Sequence, residues 1–137
     1  METNWNGITS IADEKVFEEL QKKLHIPISD TFIEFIKTHN NGHTHPYPYV
    51  YSSRLTKGAI FLKVLSFNRE DESNVWDAIA ELNKFGYVVF MPFGMGMNGF
   101  FGVRNNKVYF HDTKANDCYV VADDLVSFLE NILSVEL

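Results

Sequence analysis

Apolar positions recur at helical spacing in some stretches of this chain and gather into short continuous runs in others. Between about Asp13 and Leu24, Val16, Phe17, Leu20 and Leu24 fall on one face, and Glu14, Lys15, Glu18, Gln21 and Lys22 line the other. That spacing predicts an amphipathic helix, with Ser10 or Asp13 as its cap and Pro27 as its stop. A second helix is expected over Ser29 to His39, capped by Ser29 and Asp30, burying Phe32, Ile33, Phe35 and Ile36, and halted by Asn40-Asn41-Gly42. His43 to Arg54, where Pro46 and Pro48 interrupt three tyrosines, reads as an ordered loop or ragged edge strand.

Short apolar, β-branched runs then take over. Ala59 to Phe67 predicts a strand, and Asn74 to Asn83 a short helix on Val75, Ile79 and Leu82. Tyr87–Met91, Phe100–Arg104 and Lys107–His111 predict three more strands, the last two joined at Asn105-Asn106, residues that accept the positive φ of a tight hairpin. Cys118–Val121 is a candidate edge strand. The chain closes with a helix over about Asp123 to Leu133, where Leu125, Phe128, Leu129, Ile132 and Leu133 make one apolar face. Helices and strands do not alternate regularly, so a single α+β domain with a mainly antiparallel sheet is expected.

Composition agrees. Single cores serve about 100–200 residues, and this chain has 137, of which 45% are apolar, including twelve Phe. The longest apolar run, Tyr87 to Met91, is far too short for a membrane span. Met1 to Trp5 lacks the features of a secretory leader, and the single cysteine, Cys118, cannot form an internal disulfide. A cytoplasmic protein is therefore expected. The net charge is −6, against direct nucleic-acid binding. Residues 1–58 carry 7 acidic and 6 basic groups and residues 59–137 carry 11 and 6, so the second half is the acidic one. Such a surface can steer a basic partner, or simply keep the protein solvated.

Candidate chemistry is sparse. His39, His43 and His45 cluster, but no cysteine pair or carboxylate adjoins them, so they read as loop histidines rather than zinc ligands. His111-Asp112 with Cys118 could form an acid–base and nucleophile set only if folding brings them within hydrogen-bond reach. Phe93-Gly94-Met95-Gly96-Met97-Asn98-Gly99 is not followed by a helix, so it reads as a tight inter-strand connection using positive φ, not as a phosphate cradle. Met95 and Met97 would be adaptable contact residues if exposed. Tyr47, Tyr49 and Tyr51 alternate and would share one face of an extended segment, either in the core or at an interface. No catalytic residue, cofactor or metal is expected.

The succession of motifs nevertheless has a family character. Val16-Phe17-Glu18-Glu19-Leu20, Ile26-Pro27, Phe32-Ile33-Glu34-Phe35 and Asn40-Asn41-Gly42 resemble the opening of the SUKH superfamily. The later pieces Val88 to Gly94, Gly99-Phe100-Phe101-Gly102, Lys107 to Asp112 and Val121 to Leu129 resemble its second half, so the likeness spans about residues 11–133. Ile26 replaces the usual leucine, and the long His43–Arg54 loop does not align with the family pattern. The resemblance, to a superfamily that includes the yeast Smi/Knr-type regulators of cell-wall synthesis, implies a non-enzymatic immunity protein that binds and neutralises a cognate toxin, a basic nuclease being one fitting target. An intracellular regulatory adaptor is the alternative. The contact surface expected is Tyr47, Tyr49 and Tyr51, the acidic Glu70, Asp71 and Glu72, and the loop residues Met95, Met97 and Asn98.

Overall fold

The computed structural model describes residues 5–45, 47–50, 59–86 and 88–133, with the side chains of 49, 50 and 131–133 left aside. The chain is α+β, and its main sheet is a six-stranded antiparallel meander in which every strand lies beside its sequence neighbour. The strands are β3 (Tyr49–Val50), β4 (Ala59–Val64), β5 (Met91–Gly96), β6 (Gly99–Arg104), β7 (Lys107–Asp112) and β8 (Asp117–Ala122). Two shorter strands, β1 (Trp5–Asn6) and β2 (His43–Thr44), pair separately. The helices are α1 (Val16–Leu24), α2 (Asp30–His39), α3 (Val75–Asn83) and α4 (Leu125–Leu133).

The helices start where side chains can satisfy their free N–H groups. Ser29 accepts from Phe32 N at α2, Asn74 from Asp77 N at α3, and Asp124 from Ser127 N at α4. At α1 the expected start moves from Asp13 to Val16, because Asp13 accepts from Lys15 N and holds residues 13–15 in a turn. Ser10 does not cap; its carbonyl accepts from the Asn68 amide. Pro27 is not what stops α1 either. The chain leaves the helix at His25, whose φ of 55° is left-handed. After α2 the left-handed residue is Asn41, at φ 66°, rather than Gly42. Gly42 is needed for space, since a Cβ there would lie 2.9 Å from His39 O and 3.0 Å from Ile8.

The core is a set of aromatic rings held between α1, α2 and α4 and one face of the sheet. Phe93 meets Phe32, Phe35, Phe61 and Phe128, with ring centres 5.6–6.5 Å apart. Phe128 also meets Phe101, so α2 and α4 press on the same side. The glycines of the Gly-rich segment make room for these rings. A Cβ on Gly94 would stand 2.5 Å from Phe61, and one on Gly96 2.8 Å from both Phe101 and Phe110. This overturns the expected glycine-rich connection. Met91–Gly96 is itself a strand, the turn is only Met97-Asn98, and its positive φ, 68°, falls on Asn98.

The strand expected at Tyr87–Met91 is also displaced. Tyr87 lies outside the described residues, and Val88 to Phe90 are irregular before β5 begins. Arg104 donates to the Val89 carbonyl at 3.1 Å, so a side chain takes the place of a ladder partner. Pro92 is tolerated in β5 because it sits at a register shift, beyond the span where β4 pairs. The Asn105-Asn106 hairpin forms as expected, with φ of 50° and 63°. Of the expected α4 face, Leu125, Phe128 and Leu129 are buried, and the side chains of Ile132 and Leu133 lie outside the described set.

Candidate functional site

Cross-strand register decides which side chains share the sheet's second face. Lys63, Met95, Phe100, His111 and Cys118 are successive partners across β4 to β8, so they stand in one row on that face. α3 runs along the same side and leaves a groove of about 400 Å³ between itself and the β5–β6 hairpin. Its helix wall is Asn74, Asp77, Ala78 and Glu81, the i, i+3, i+4, i+7 stripe of α3, and its floor includes Met95 and Phe100. Thr113, which donates to the Asn98 carbonyl at 3.0 Å, closes the hairpin end.

The expected contact residues divide between two places. Tyr47 and Met97 are exposed, at 50% and 52%, and both flank the start of β4: the carbonyl of Pro48 accepts from Phe61 N, and Met97 N donates to Ile60 O. Tyr49 pairs with Ile60 at the same end, and Asn98 is the exposed turn residue beside Met97. Tyr51 lies outside the described residues, so the three tyrosines cannot be placed on one face. Met95 is half-buried on the groove floor.

Glu70, Asp71 and Glu72 follow the opposite end of β4, which at about 3.3 Å per residue is about 20 Å away. They do not act alike. Glu70 and Glu72 face solvent, whereas the Asp71 carboxylate accepts from Ser66 Oγ at 2.6 Å, Thr9 Oγ1 at 3.0 Å and Asn68 Nδ2 at 3.1 Å. These bonds, Ser66 first, hold the Asp71 carboxyl below its ordinary value. Asp71 ties the loop to the domain. A second acidic pair, Asp77 and Glu81, lies outside the expected contact surface, and its one signal in the sequence is the i, i+4 spacing within Asn74 to Asn83.

The possible catalytic set does not assemble. His111 and Cys118 are direct cross-strand partners, yet Asp112 projects to the other face and accepts from Lys114 and Ala115 N. Cys118 is exposed, and partial desolvation by its neighbours still raises its thiol, away from the reactive thiolate. The histidines expected as loop residues have separate surroundings. His43 is half-buried in β2 and His45 is exposed. His39 stacks on Phe35, with ring centres 4.5 Å apart, and meets Trp5 edge-on at 4.7 Å. Among the described residues no three of His, Cys, Asp or Glu gather as a metal site.

Burial lowers the His39 imidazole below its ordinary 6.5, against a smaller raising effect of the Phe35 carbonyl. The folded state therefore favours neutral His39. Its contribution to stability is whole above pH 6.5 and is lost as pH falls through the lowered value. A urea midpoint measured from pH 7.5 down to 5 should fall for the native protein. The fall should be shallower in His39→Phe; an equal fall in both would assign it elsewhere.

No helix among the described residues is long and apolar enough to cross a membrane. No curated protein and no solved structure is matched by the chain. The model of the SMI1 / KNR4 family (SUKH-1) matches residues 11–131, from the segment before α1 into α4. With that span covering nearly the whole fold, the chain belongs to the SMI1 / KNR4 family.

Proposed function

We propose that this protein is an immunity protein that acts in the cytoplasm by binding a cognate toxin domain and blocking it, without catalysis of its own. Membership of the family supports the general role. The observation that carries the reading to a surface is the exposure of Tyr47 and Met97 on either side of the start of β4. An amphipathic ring and a flexible thioether, both exposed, are the kind of groups that protein interfaces enrich. The excess of acidic residues in the second half suits a basic target, such as a nuclease, by accelerating encounter and covering its substrate groove.

The test begins with a tagged pull-down from source-cell lysate at low and high salt, with the captured proteins identified by mass spectrometry. One tight partner, whose toxicity in a heterologous host is relieved by co-expressing this chain, would support the reading. Weakly held housekeeping proteins lost at high salt would favour an adaptor instead. With a partner in hand, Glu70→Lys with Glu72→Lys should slow association about tenfold at low salt and much less at high salt. Asp71 stays unchanged in that variant, since its carboxylate holds the loop. An unaltered on-rate at low salt would remove the acidic loop from the contact surface.

A further inference from the structure

The groove along α3 combines an apolar floor with a wall bearing two carboxylates of the same helix face. Met95 and Phe100 are direct cross-strand partners, so their side chains lie together on the floor, and Ala78 keeps the facing wall low. Asp77 and Glu81 stand one helical turn apart above them. Asp77 uses its Oδ2 in the helix cap, taking a bond from Asn74 at 3.1 Å. Glu81 pairs with Lys84 at 3.0 Å, but both groups are exposed, and a surface pair of this kind exchanges readily.

We infer that this groove receives an arginine side chain projecting from a surface loop of the partner protein. The inference rests on the partner-binding reading above and adds to it the chemistry of one contact. The aliphatic stem of arginine would lie on Met95 and Ala78, and its planar guanidinium would reach Asp77 and Glu81 with the Phe100 ring beneath it. Charge complementarity selects the occupant. A neutral apolar side chain would strip water from two carboxylates without pairing them, and an acidic one would be repelled. Arginine suits the site better than lysine because its flat fork can bond two carboxylates at once and also lie against a ring. At about 400 Å³ the groove admits the side chain together with the backbone that carries it.

The test needs no identified partner. The blocked tripeptide acetyl-Leu-Arg-Leu-amide is titrated into the isotopically labelled protein at low salt, and amide and methyl shifts are followed by NMR. The control is the same peptide with citrulline, which keeps the shape and loses the charge. Saturable shifts confined to α3 and the β5–β6 hairpin are expected, with the arginine peptide binding about tenfold tighter than the citrulline peptide. Added salt should weaken the arginine peptide alone. Glu81→Gln should narrow the difference between peptides, and Asp77→Asn with Glu81→Gln should abolish it. Equal binding of the two peptides, shifts elsewhere on the surface, or no saturable shift would overturn the inference. Because wild-type protein gives the deciding comparison, poor folding of the double variant would not blur it. Failure here, beside a toxin relieved by co-expression, would leave the immunity reading standing and this contact refuted.

Discussion

Replacing Asn40 with alanine is expected to cost about 3 kcal/mol of folding stability, more than a typical substitution in a domain of this kind. Asn40 is fully buried at the end of α2, and its carboxamide joins three separate parts of the chain. Its Oδ1 accepts from Phe67 N at 2.8 Å; its Nδ2 donates to Ser66 Oγ at 3.2 Å and toward the Thr9 carbonyl and hydroxyl at 3.2 and 3.3 Å. Ser66 and Thr9 in turn donate to Asp71. Alanine leaves Phe67 N buried without its acceptor, an orphan that costs about 1–3 kcal/mol, and takes one bond from the Ser66 hydroxyl, which keeps Asp71 and Asn68 N. Asn40→Asp should be no better at neutral pH. It keeps an acceptor for Phe67 N but replaces donors with a second carboxylate facing the Asp71 network, and like charges in one buried site repel. Urea denaturation of both variants checks this. A loss under about 1 kcal/mol for alanine would mean that water takes over the bonds, as it can only where the site opens.

The second large effect should come from Gly102→Ala, at about 3 kcal/mol. A Cβ at this position would lie 1.7 Å from Phe90 Cδ1 and 2.4 Å from Cε1, so the ring itself, not a movable tip, must leave. Phe90 is buried between Gly102 and Tyr109, whose ring it stacks on at 9°. Alanine therefore costs roughly what removing the ring costs, and Phe90→Ala alone falls in the range of about 3–5 kcal/mol. The two losses have one cause. In the double variant the new methyl group no longer clashes and partly fills the cavity, so the double should be no less stable than Phe90→Ala alone. A double-mutant cycle decides the matter. Additive losses would show that Gly102 is constrained by something other than the Phe90 ring.

These two residues also mark what the sequence could and could not convey. The helices and most strands were legible because burial imposes a period on side chains, as at Leu125, Phe128 and Leu129 in α4. The Asn105-Asn106 turn was legible because few residues accept its backbone angles. The Gly-rich strand was not, since a glycine that yields space to a ring two strands away looks locally like one that makes a turn. Phe61 and Phe110, which need the space beside Gly94 and Gly96, are distant in sequence. The tethering bonds of Asp71 were hidden for the same reason. It reads as one of three surface acids until Thr9 and Ser66 are brought to it. Of the expected contact surface, Tyr47 and Met97 are brought to one end of the sheet, while the groove wall of Asp77 and Glu81 became visible only when β5 and β6 were placed opposite α3.

The nearest-neighbour order of the main sheet has a kinetic meaning. From β5 to β8 each strand can pair with one already formed, across turns of a few residues, so little chain entropy is lost in closing each step. The bonds around Asn40 are of the opposite kind, joining Thr9 to Asp71 across 62 positions and Asn40 to Ser66 across 26. Loop closure makes such links the last to repay their cost. The meander can thus serve as a template on which the amino-terminal helices dock, with the Asn40 hub acting as the latch that closes behind them. A latch that forms after the barrier governs how long the native state lasts rather than how fast it is reached. For a protein whose proposed task is to stay folded until a partner arrives, lifetime is the quantity that such a latch protects.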